Sequence, residues 1–592
     1  MRALYSLTIV VLSVFTFGCG PGRVPQPTPA PDIGKRAVGT EGMVTSAHPQ
    51  ASEAGLELLR AGGNAIDAAV AAAFAVGVVE PMMAGIGGSG GMLIWEAEKG
   101  EADYLDFYAI APEGVSPEFD RSVHPARIVA VPGAVAGLLE AHSKYGRLPR
   151  EAVLAPAIRL AEEGFPVGSL LARTIAGDSV KLSRDPDAAR IFWPDGRPLQ
   201  PGERLVQPEL GATLRQIAEE GRDGFYRGPV AEEIIEVLSA GGNPMTLTDL
   251  EGFEPSWRRP LCAPYRGWTV LTAPPPQSGM QVAQALRLLE DYDLPALGLP
   301  TESVPAFHSL SGALRVATAD RQAYLHDPDH HPVPANGLVS AEYAEERGPL
   351  VGGEEGPPTR IRAGDPWAAD QSPTAGVCES FDPYPPAGAG IEVARHQSHL
   401  FEGGDDEVED GETTHLSVID RDGNAVSLTY TQGVYFGSGL WAAGTFLNSS
   451  MNIFSSNPES PKALLPGRKP TSTTTPTIIL EGAGVRLVVG SPGAARIPTA
   501  VTQAIIYILD YGLDPLEALR MPRIHPQASH SRVPYEQGFR TDLIGAVREL
   551  GYQPEVMPPA SLYFGGIHLI ERRGKWLIGA ADPRRDGEAR GF

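Results

Sequence analysis

The first clear pattern along the chain is a pair of neighbouring helices. Residues 51–60 place apolar positions at helical spacing and are followed by Gly62-Gly63, which predicts an amphipathic helix that stops there. Asn64 is a typical N-cap for a second helix over residues 65–79. Further elements are predicted as helices at 156–163, 232–238, 282–291 and 307–324 and as strands at 92–95 and 269–272. Because the 65–79 helix is apolar almost all round, we expect it to be buried between layers.

The strongest strand pattern lies late in the chain and follows an acidic stretch. Residues 414–419 alternate between polar and apolar side chains, as a strand does. Residues 420–424 have the composition of a turn, and residues 425–431 have the pattern of a second strand, which predicts a β-hairpin. Directly before it, seven of the eleven residues 402–412 are Asp or Glu, which predicts a solvated segment. A solvated tether that runs straight into a core strand is unusual in an intact chain, and it indicates that the chain is cut there.

The N-terminus has the pattern of an export signal. Arg2 precedes the apolar run Ala3–Phe17, which is too short to span a bilayer as a helix. The run ends at Gly18-Cys19, which resembles the acceptor site of a bacterial lipoprotein, so residues 1–19 are interpreted as an export signal and Cys19 as a candidate membrane anchor. A plain cleaved signal with an incidental Cys19 is the alternative. Either interpretation places the protein in the periplasm or cell envelope, behind a Pro-rich linker at 20–41.

Charge and cysteine content narrow the class of protein. The 72 acidic and 48 basic residues give a net charge of −24, which argues against a nucleic-acid partner. Apart from Cys19, only Cys262 and Cys378 are present; two cysteines can pair, but they form no disulfide framework and no zinc spacing. The polar run 326–331 is contiguous, so we interpret it as a surface loop and expect no metal and no cofactor.

Thr413 is the strongest candidate for chemistry. If the Glu412–Thr413 bond breaks, Thr413 carries a hydroxyl and a free α-amine, whose pKa of about 7.7–8.0 lets it accept the hydroxyl proton. An ordinary strand residue is the alternative. A second candidate is the turn at 489–496, which follows a predicted strand and opens a helix, because backbone N–H groups there can hold a negative oxygen. An ordinary turn is the alternative for that segment.

Several motifs, in order, resemble the γ-glutamyltransferase family from about Gly42 to the last residue. They lie at 47–55, 62–69, 131–138, 274–279, 413–415, 422–426, 429–431, 490–493, 522–523 and 581–584. The resemblance implies an α+β fold, the four-layer αββα sandwich of N-terminal-nucleophile (Ntn) hydrolases. It also implies self-cleavage before Thr413 into a large subunit, 42–412, and a small subunit, 413–592, which remain partners.

The resemblance also implies the site. Thr413 corresponds to the nucleophile, Thr431 to the threonine that hydrogen-bonds it, and Gly493 with Ala494 to the oxyanion pair, although a second glycine is usual there. The substrate-binding positions of the family correspond here to Tyr108, Gly433, Ser450, Asn452, Ile453, Ser472 and Thr473. Several of these depart from the family: Tyr108 replaces an arginine, Gly433 an asparagine, and Asn452 and Ile453 two acids. The segment 454–471 is also short, which suggests that a lid over the pocket is missing.

Three functions follow from these observations. The family default is hydrolysis of γ-glutamyl compounds such as glutathione, or transfer of the γ-glutamyl group to an amino acceptor. The departures predict that glutathione is hydrolysed poorly and that an acyl donor without the α-amine is turned over better. The second candidate is therefore a deacylase of another acyl amide, similar to cephalosporin acylases. A non-catalytic envelope lipoprotein is the third alternative, and the intact Thr413-Thr414-His415 motif argues against it.

Overall fold

The fold is built on strands that are distributed along the whole described chain. The computed structural model describes residues 34–353, 355–371, 378 and 412–592; the predictions for 1–19, most of the linker and the acidic segment 402–411 lie outside them. The strands are β1 Arg36–Gly39, β2 Gly42–Ser46, β3 Ser89–Glu96, β4 Glu101–Phe107, β5 Phe165–Pro166, β6 Arg204–Leu205, β7 Ser256–Arg258, β8 Leu261–Tyr265, β9 Trp268–Thr272, β10 Glu412–Asp420, β11 Ala425–Gly433, β12 Trp441–Ala442, β13 Thr445–Phe446, β14 Thr477–Glu481, β15 Gly484–Gly490, β16 Arg532–Glu536, β17 Gln553–Met557, β18 His568–Arg573, β19 Trp576–Ala581 and β20 Glu588–Gly591.

The α-helices of the described residues lie in the intervals between these strands. They are Pro49–Arg60, Ala65–Val79, Ala134–Tyr145, Arg150–Glu163, Ser169–Gly177, Ser179–Leu182, Pro186–Phe192, Pro208–Glu220, Asp223–Tyr226, Gly228–Ala240, Leu247–Glu251, Gly279–Leu289, Leu294–Leu297, Val304–Tyr324, Ala335–Leu338, Ala341–Arg347, Ile497–Leu509, Pro515–Arg520 and Thr541–Glu549. The elements predicted from the sequence are all present, most of them longer than predicted. β1 lies inside the range assigned to the linker, because it pairs with β19 and joins a sheet.

Within the described residues, two seven-stranded antiparallel sheets carry the fold. One has the order β1-β19-β18-β15-β14-β9-β8, and the other has the order β20-β2-β10-β11-β3-β4-β7. The predicted hairpin forms the centre of the second sheet, since β10 pairs with β2 on one side and with β11 on the other. Its position there holds the residue at the start of β10 rigidly.

Three layers of apolar side chains separate four layers of secondary structure. Met43, Leu93 and Ile570 belong to a buried cluster formed by residues of both sheets. On the far side of one sheet, helix Ala65–Val79 belongs to a second cluster. On the far side of the other, helix Ile497–Leu509 belongs to a third. The order helix, sheet, sheet, helix confirms the predicted four-layer αββα sandwich.

Helix Ala65–Val79 packs against the central hairpin. Every one of its 15 residues is buried, as its apolar sequence predicts. Asn64 and Asp67 form a capping box at its start, which satisfies backbone N–H groups that would otherwise be unpaired in the core. In its third turn, the carbonyl oxygen of Ala73 accepts a hydrogen bond from the hydroxyl of Tyr430 on β11. This hydrogen bond therefore fixes the position of β11 relative to the helix.

Two further features concern predictions made from single residue types. Cys262 and Cys378, 116 positions apart, form a disulfide with a Cα–Cα distance of 5.6 Å. The prediction of a surface loop at 326–331 is wrong for His326 and Asp327, which are buried. Asp327 turns inward because its carboxylate accepts a hydrogen bond of 2.9 Å from the backbone N–H of Lys469. Within the described ranges, none of the helices has the length and apolar character that crossing a membrane requires.

Candidate active site

Thr413 lies at an irregularity in the central hairpin. Glu412 is opposite Gly433 and Thr414 is opposite Tyr430, so two residues of β11 face the single residue Thr413. Such a β-bulge re-aims side chains and is common beside active sites. Thr413 is 5% exposed and lies on the wall of a cavity, so its hydroxyl is placed where a small molecule can reach it.

The peptide bond before Thr413 is held by Thr431. The Thr431 hydroxyl donates a short hydrogen bond to the carbonyl oxygen of Glu412. The same hydroxyl oxygen accepts a hydrogen bond of 2.7 Å from the backbone N–H of Gly433, which orients its proton toward that carbonyl. Thr431 is thus a donor aimed at the carbonyl that would develop negative charge if Thr413 attacked it.

The turn after β15 forms another wall of the site. Gly493 has a φ of 126°, and a Cβ there would lie 2.9 Å from the Cα of Gly565, so only glycine fits. Ala494 follows with a φ of 50°, begins a short 3₁₀ turn that leads into helix Ile497–Leu509, and lines the cavity. Backbone N–H groups at the start of a helix are suited to bind a negative oxygen.

The left-handed backbone of Ala494 predicts a measurable strain. An alanine in this region costs about 1–2 kcal/mol, whereas glycine adopts it freely but loses about 0.5–1 kcal/mol of unfolded-chain entropy. We therefore expect Ala494→Gly to raise the free energy of unfolding by about 0.5–1 kcal/mol, measured by urea denaturation. Ala495→Gly is the matched control, because Ala495 is outside the left-handed region. This variant should have a lower free energy of unfolding than the wild type. Equal effects of the two variants would contradict the prediction.

The cavity beside Thr413 has a volume of about 330 Å³. It is lined by Tyr108, Arg121, Arg321, Gln322, Thr413, Thr431, Gly433, Val434, Ser449, Asn452, Ile453, Phe454, Ser455, Ser456, Lys462, Thr471, Ser472, Thr473, Thr474, Ala494 and Ala495. This volume lies at the small end of the range for ligand pockets. It suits an acyl group of a few carbons together with part of a leaving group.

The charges on the cavity wall have one sign. Arg121, Arg321 and Lys462 are cationic, and among the described residues no Asp or Glu lines this cavity. The Arg121 guanidinium donates to three backbone carbonyls of one loop, those of Met451, Phe454 and Ser455, and so stays at the wall. Burial lowers the pKa of Arg321 to about 10, which leaves it charged at neutral pH. The cavity therefore favours an anionic ligand, in a chain whose net charge is −24.

A neutral polar surface completes the wall. Burial raises the pKa of Tyr108 to about 12, and a hydrogen bond between its side chain and Ser472 opposes that shift. The Ser472 hydroxyl also donates to the hydroxyl of Thr474, at 3.2 Å. Tyr108 therefore remains protonated at neutral pH and can donate a hydrogen bond, but it supplies no positive charge.

Comparison with known proteins relates this geometry to a family. Residues 51–592 match the family model described as Gamma-glutamyltranspeptidase. The glutathione hydrolase proenzyme of Bacillus subtilis (strain 168) is 34% identical over 569 residues, covering 94% of this chain and 92% of the relative. The acylase ACY 1 proenzyme of Pseudomonas sp. (strain V22) is 35% identical over 587 residues, covering 95% and 96%. The crystal structure of cephalosporin acylase from Bacillus halodurans superposes with a TM-score of 0.82 at 28% identity, covering 97% of this chain and 99% of that one.

The chain belongs to the γ-glutamyltranspeptidase family. It is therefore an Ntn-type hydrolase or transferase, and its relatives are named as proenzymes.

Most residues that correspond to the γ-glutamyltranspeptidase site meet at the cavity. Those on its wall are Thr413, Thr431, Ala494, Tyr108, Gly433, Asn452, Ile453, Ser472 and Thr473. Gly493 stands directly before Ala494 and shapes the turn. Ser450 differs, because it is fully buried and is not on the wall. Its backbone N–H donates to the side chain of Asn448 at 3.1 Å, which draws it into the loop interior.

The positions that depart from the γ-glutamyltranspeptidase pattern, Tyr108, Gly433, Asn452 and Ile453, all line the cavity. Gly433 has a φ of 100°, and a Cβ there would lie 2.3 Å from the Ser449 hydroxyl, so an asparagine does not fit without movement. Asn452 and Ile453 replace the acids, and Arg121 binds the loop on both sides of them. A region that is acidic in the family is therefore neutral to basic in this chain.

The three cations of the wall were not predicted from the sequence, and the short segment 454–471 contributes one of them, Lys462. Phe454, Ser455, Ser456, Lys462 and Thr471 from this segment line the cavity. The segment closes on itself, since the N–H of Ser455 donates to the carbonyl of Lys462 at 2.9 Å. Arg121 and Arg321 lie in no motif. The one signal available in the sequence was the balance of charged residues after the family's two acids are replaced by Asn452 and Ile453.

Proposed function

We propose that this chain is a precursor that cuts itself before Thr413, and that the mature enzyme deacylates amides whose acyl group carries a carboxylate but no neighbouring ammonium. The observation that supports this function is a cavity at Thr413 whose charged wall residues are Arg121, Arg321 and Lys462, with no acid among the described lining residues. The reaction is hydrolysis, or transfer of the acyl group to an amino acceptor.

Self-cleavage is an N-to-O acyl shift followed by hydrolysis. The Thr413 hydroxyl oxygen attacks the carbonyl carbon of Glu412, and Thr431 stabilises the resulting negative oxygen by its hydrogen bond. The C–N bond breaks, the hydroxyl proton passes to the departing nitrogen, and an ester remains. Water hydrolyses the ester, which yields a carboxylate on Glu412 and a free α-amine and hydroxyl on Thr413.

The mature reaction uses the same hydroxyl. The neutral α-amine of Thr413 takes the hydroxyl proton as the oxygen attacks the substrate amide, which is the usual activation of an N-terminal threonine. The backbone N–H groups of Gly493 and Ala494 are the proposed donors to the developing oxyanion. The amine leaving group departs with the proton, and water or an amino acceptor then resolves the acyl-enzyme.

The acyl group is selected by charge. A carboxylate entering the cavity meets cations on the wall, and a charge-assisted hydrogen bond contributes roughly 1.5–3 kcal/mol. An ammonium group on the same acyl chain would lose hydration without finding a carboxylate on the described wall. A γ-glutamyl donor is the second candidate, since it also carries a carboxylate and several relatives are named glutathione hydrolases.

The test is a panel of p-nitroanilides on purified, cleaved protein. The acyl groups are glutaryl, succinyl, adipoyl, γ-glutamyl and butyryl, and release of p-nitroaniline gives kcat/KM for each. We expect one of the dicarboxylic acyl groups to be turned over best and the uncharged butyryl group poorly. Equal or better turnover of the butyryl compound would contradict selection by a carboxylate.

Export and membrane attachment form a separate part of the proposal. Residues 1–19 are proposed to direct export, and Cys19 to carry the lipid that retains the protein at the membrane. We expect Cys19→Ala to move the protein from the membrane fraction to the soluble fraction of the cells, measured by fractionation and immunoblotting. Cys262→Ala is the control, since it should not change the partitioning. If Cys19→Ala stays with the membrane, the lipid anchor is wrong.

A further inference from the structure

A buried guanidinium contacts both residues of the peptide bond that is proposed to break. Arg585 lies in the loop between β19 and β20 and is 5% exposed. One nitrogen, Nη1, donates to the carbonyl oxygen of Thr413 at 3.2 Å. The other, Nη2, donates to the side-chain carboxylate of Glu412 at 3.3 Å. Arg585 therefore bridges the residue on each side of the bond without touching the bond itself.

The loop that carries Arg585 is rigidly anchored. Asp582, three positions earlier, is buried and pairs with Arg523 at 2.5 Å and with Arg584 at 3.1 Å. Burial by itself would raise the pKa of Asp582, but the two guanidinium groups outweigh it and hold the pKa well below its ordinary value. On the other side, the Lys35 ammonium donates to the carbonyl oxygen of Arg585 at 2.5 Å. The backbone at Arg585 is therefore anchored by contacts that do not involve Glu412.

A second carboxylate forms an ion pair with the guanidinium. Glu80, at the C-cap of helix Ala65–Val79, is buried, and its carboxylate lies 3.9 Å from Nη1 of Arg585. The same carboxylate accepts a hydrogen bond of 2.9 Å from the hydroxyl of Thr414. Burial raises the pKa of Glu80, and the charge of Arg585 opposes that shift. One network thus connects the three consecutive residues 412–414 to the helix below.

The acyl shift needs this kind of support. The Thr413 hydroxyl must lie over the carbonyl carbon of Glu412, and a small misplacement of reacting atoms lowers rates by orders of magnitude. Thr431 holds the Glu412 carbonyl oxygen, but it does not contact the Glu412 side chain or the Thr413 carbonyl. Those two groups are held by Arg585, which contacts the backbone carbonyl of the attacking residue and the side chain of the residue before it.

We propose that Arg585 is a positioning residue for self-cleavage, acting through the Thr413 carbonyl and the Glu412 carboxylate. This inference rests on the proposed cleavage before Thr413. It assigns to Glu412, whose side chain has no part in the acyl shift itself, the function of aligning the bond through its charge.

The test follows cleavage from the uncut chain. Full-length protein is made by cell-free synthesis, and the 180-residue fragment that 592 − 412 predicts is followed over time on a denaturing gel. We expect Arg585→Ala to slow cleavage by about 10- to 100-fold and Arg585→Lys by less, because lysine keeps the charge but cannot bridge both groups. Glu412→Gln should slow it by about 3- to 10-fold, and its effect should nearly vanish when Arg585 is already alanine.

Chemical rescue separates positioning from a loss of folding. Guanidinium ion at low millimolar concentration should restore part of the cleavage rate of Arg585→Ala, whereas sodium chloride at the same ionic strength should not. Wild-type cleavage rates in Arg585→Ala overturn the inference. So does slow cleavage that neither guanidinium nor lysine improves, since Arg585 then acts only in folding. If the wild-type chain is never cleaved, the proposed function fails together with this inference. If the wild type is cleaved but the Arg585 variants do not behave as expected, only this inference fails.

Discussion

Thr413→Ala should remain a single chain and should lose acyl-amide hydrolysis by about 10³-fold or more in kcat. The variant keeps the backbone and the bulge in β10 but lacks the hydroxyl that forms both the ester of self-cleavage and the acyl-enzyme. A denaturing gel, with N-terminal sequencing of any small fragment, measures the first effect. Release of p-nitroaniline from the best substrate of the panel measures the second.

Thr413→Ser is the matched control for that experiment. Serine keeps a hydroxyl on the same carbon, so we expect cleavage and turnover to persist at a reduced rate. Thr414→Ser changes the neighbouring threonine and should affect neither reaction strongly, because its hydroxyl binds Glu80 and does not line the cavity. A fragment that begins with Thr413 in wild-type protein supports the assignment. A wild-type chain that stays intact after long incubation refutes both the nucleophile and the proposed enzyme.

The mature enzyme should prefer a glutaryl anilide over a γ-glutamyl anilide by about 10²- to 10⁴-fold in kcat/KM. The two substrates differ only by an ammonium group, whose desolvation beside Arg121, Arg321 and Lys462 is not offset by a carboxylate on the described wall. That range corresponds to about 2.8–5.6 kcal/mol, which is the sum of two to four unfavourable contacts of about 1.4 kcal/mol each. The experiment measures both constants at one pH and one ionic strength.

Arg121→Met tests the origin of the preference. Methionine preserves much of the aliphatic packing but removes the charge that lies at the loop of Asn452 and Ile453. We expect kcat/KM for the glutaryl compound to fall by about 10- to 100-fold and the value for the γ-glutamyl compound to fall less. Arg222→Met is a control at a distant arginine whose contacts lie outside the cavity. A γ-glutamyl compound that wins by tenfold or more would establish the ordinary family activity.

The sequence was sufficient where a local pattern carries the structure. The alternation at 414–419 and 425–431 predicted β10 and β11, and the uniformly apolar 65–79 predicted a fully buried helix. Both are short-range signals that depend on side-chain periodicity. Thr413, Thr431 and Ala494, which directly follows Gly493, line one cavity, and the Thr431 hydroxyl donates to the Glu412 carbonyl oxygen.

The sequence was insufficient where distant loops meet. Arg121 and Arg321 belong to no motif, and they reach the cavity because the loop after β4 and the end of helix Val304–Tyr324 converge there. The same reason hid the pairing of Cys262 with Cys378, which depends on a contact across 116 residues. The burial of Ser450 at the start of the 3₁₀ turn Ser450–Ile453 likewise follows from no local pattern in the sequence.

The strand order has a consequence for the molecule after the proposed cut. In the sheet β20-β2-β10-β11-β3-β4-β7, strands from the two sides of residue 412 pair at β20–β2, β2–β10 and β11–β3, and in the other sheet β1 pairs with β19 while β14 pairs with β9. The two fragments cannot dissociate unless strand pairs in both sheets lose their hydrogen bonds and the core between the sheets is exposed. An affinity tag on one fragment should therefore retrieve the other in equal amount. If the gene were divided before codon 413, the two separately made polypeptides would have to assemble both sheets from strands that neither one holds completely.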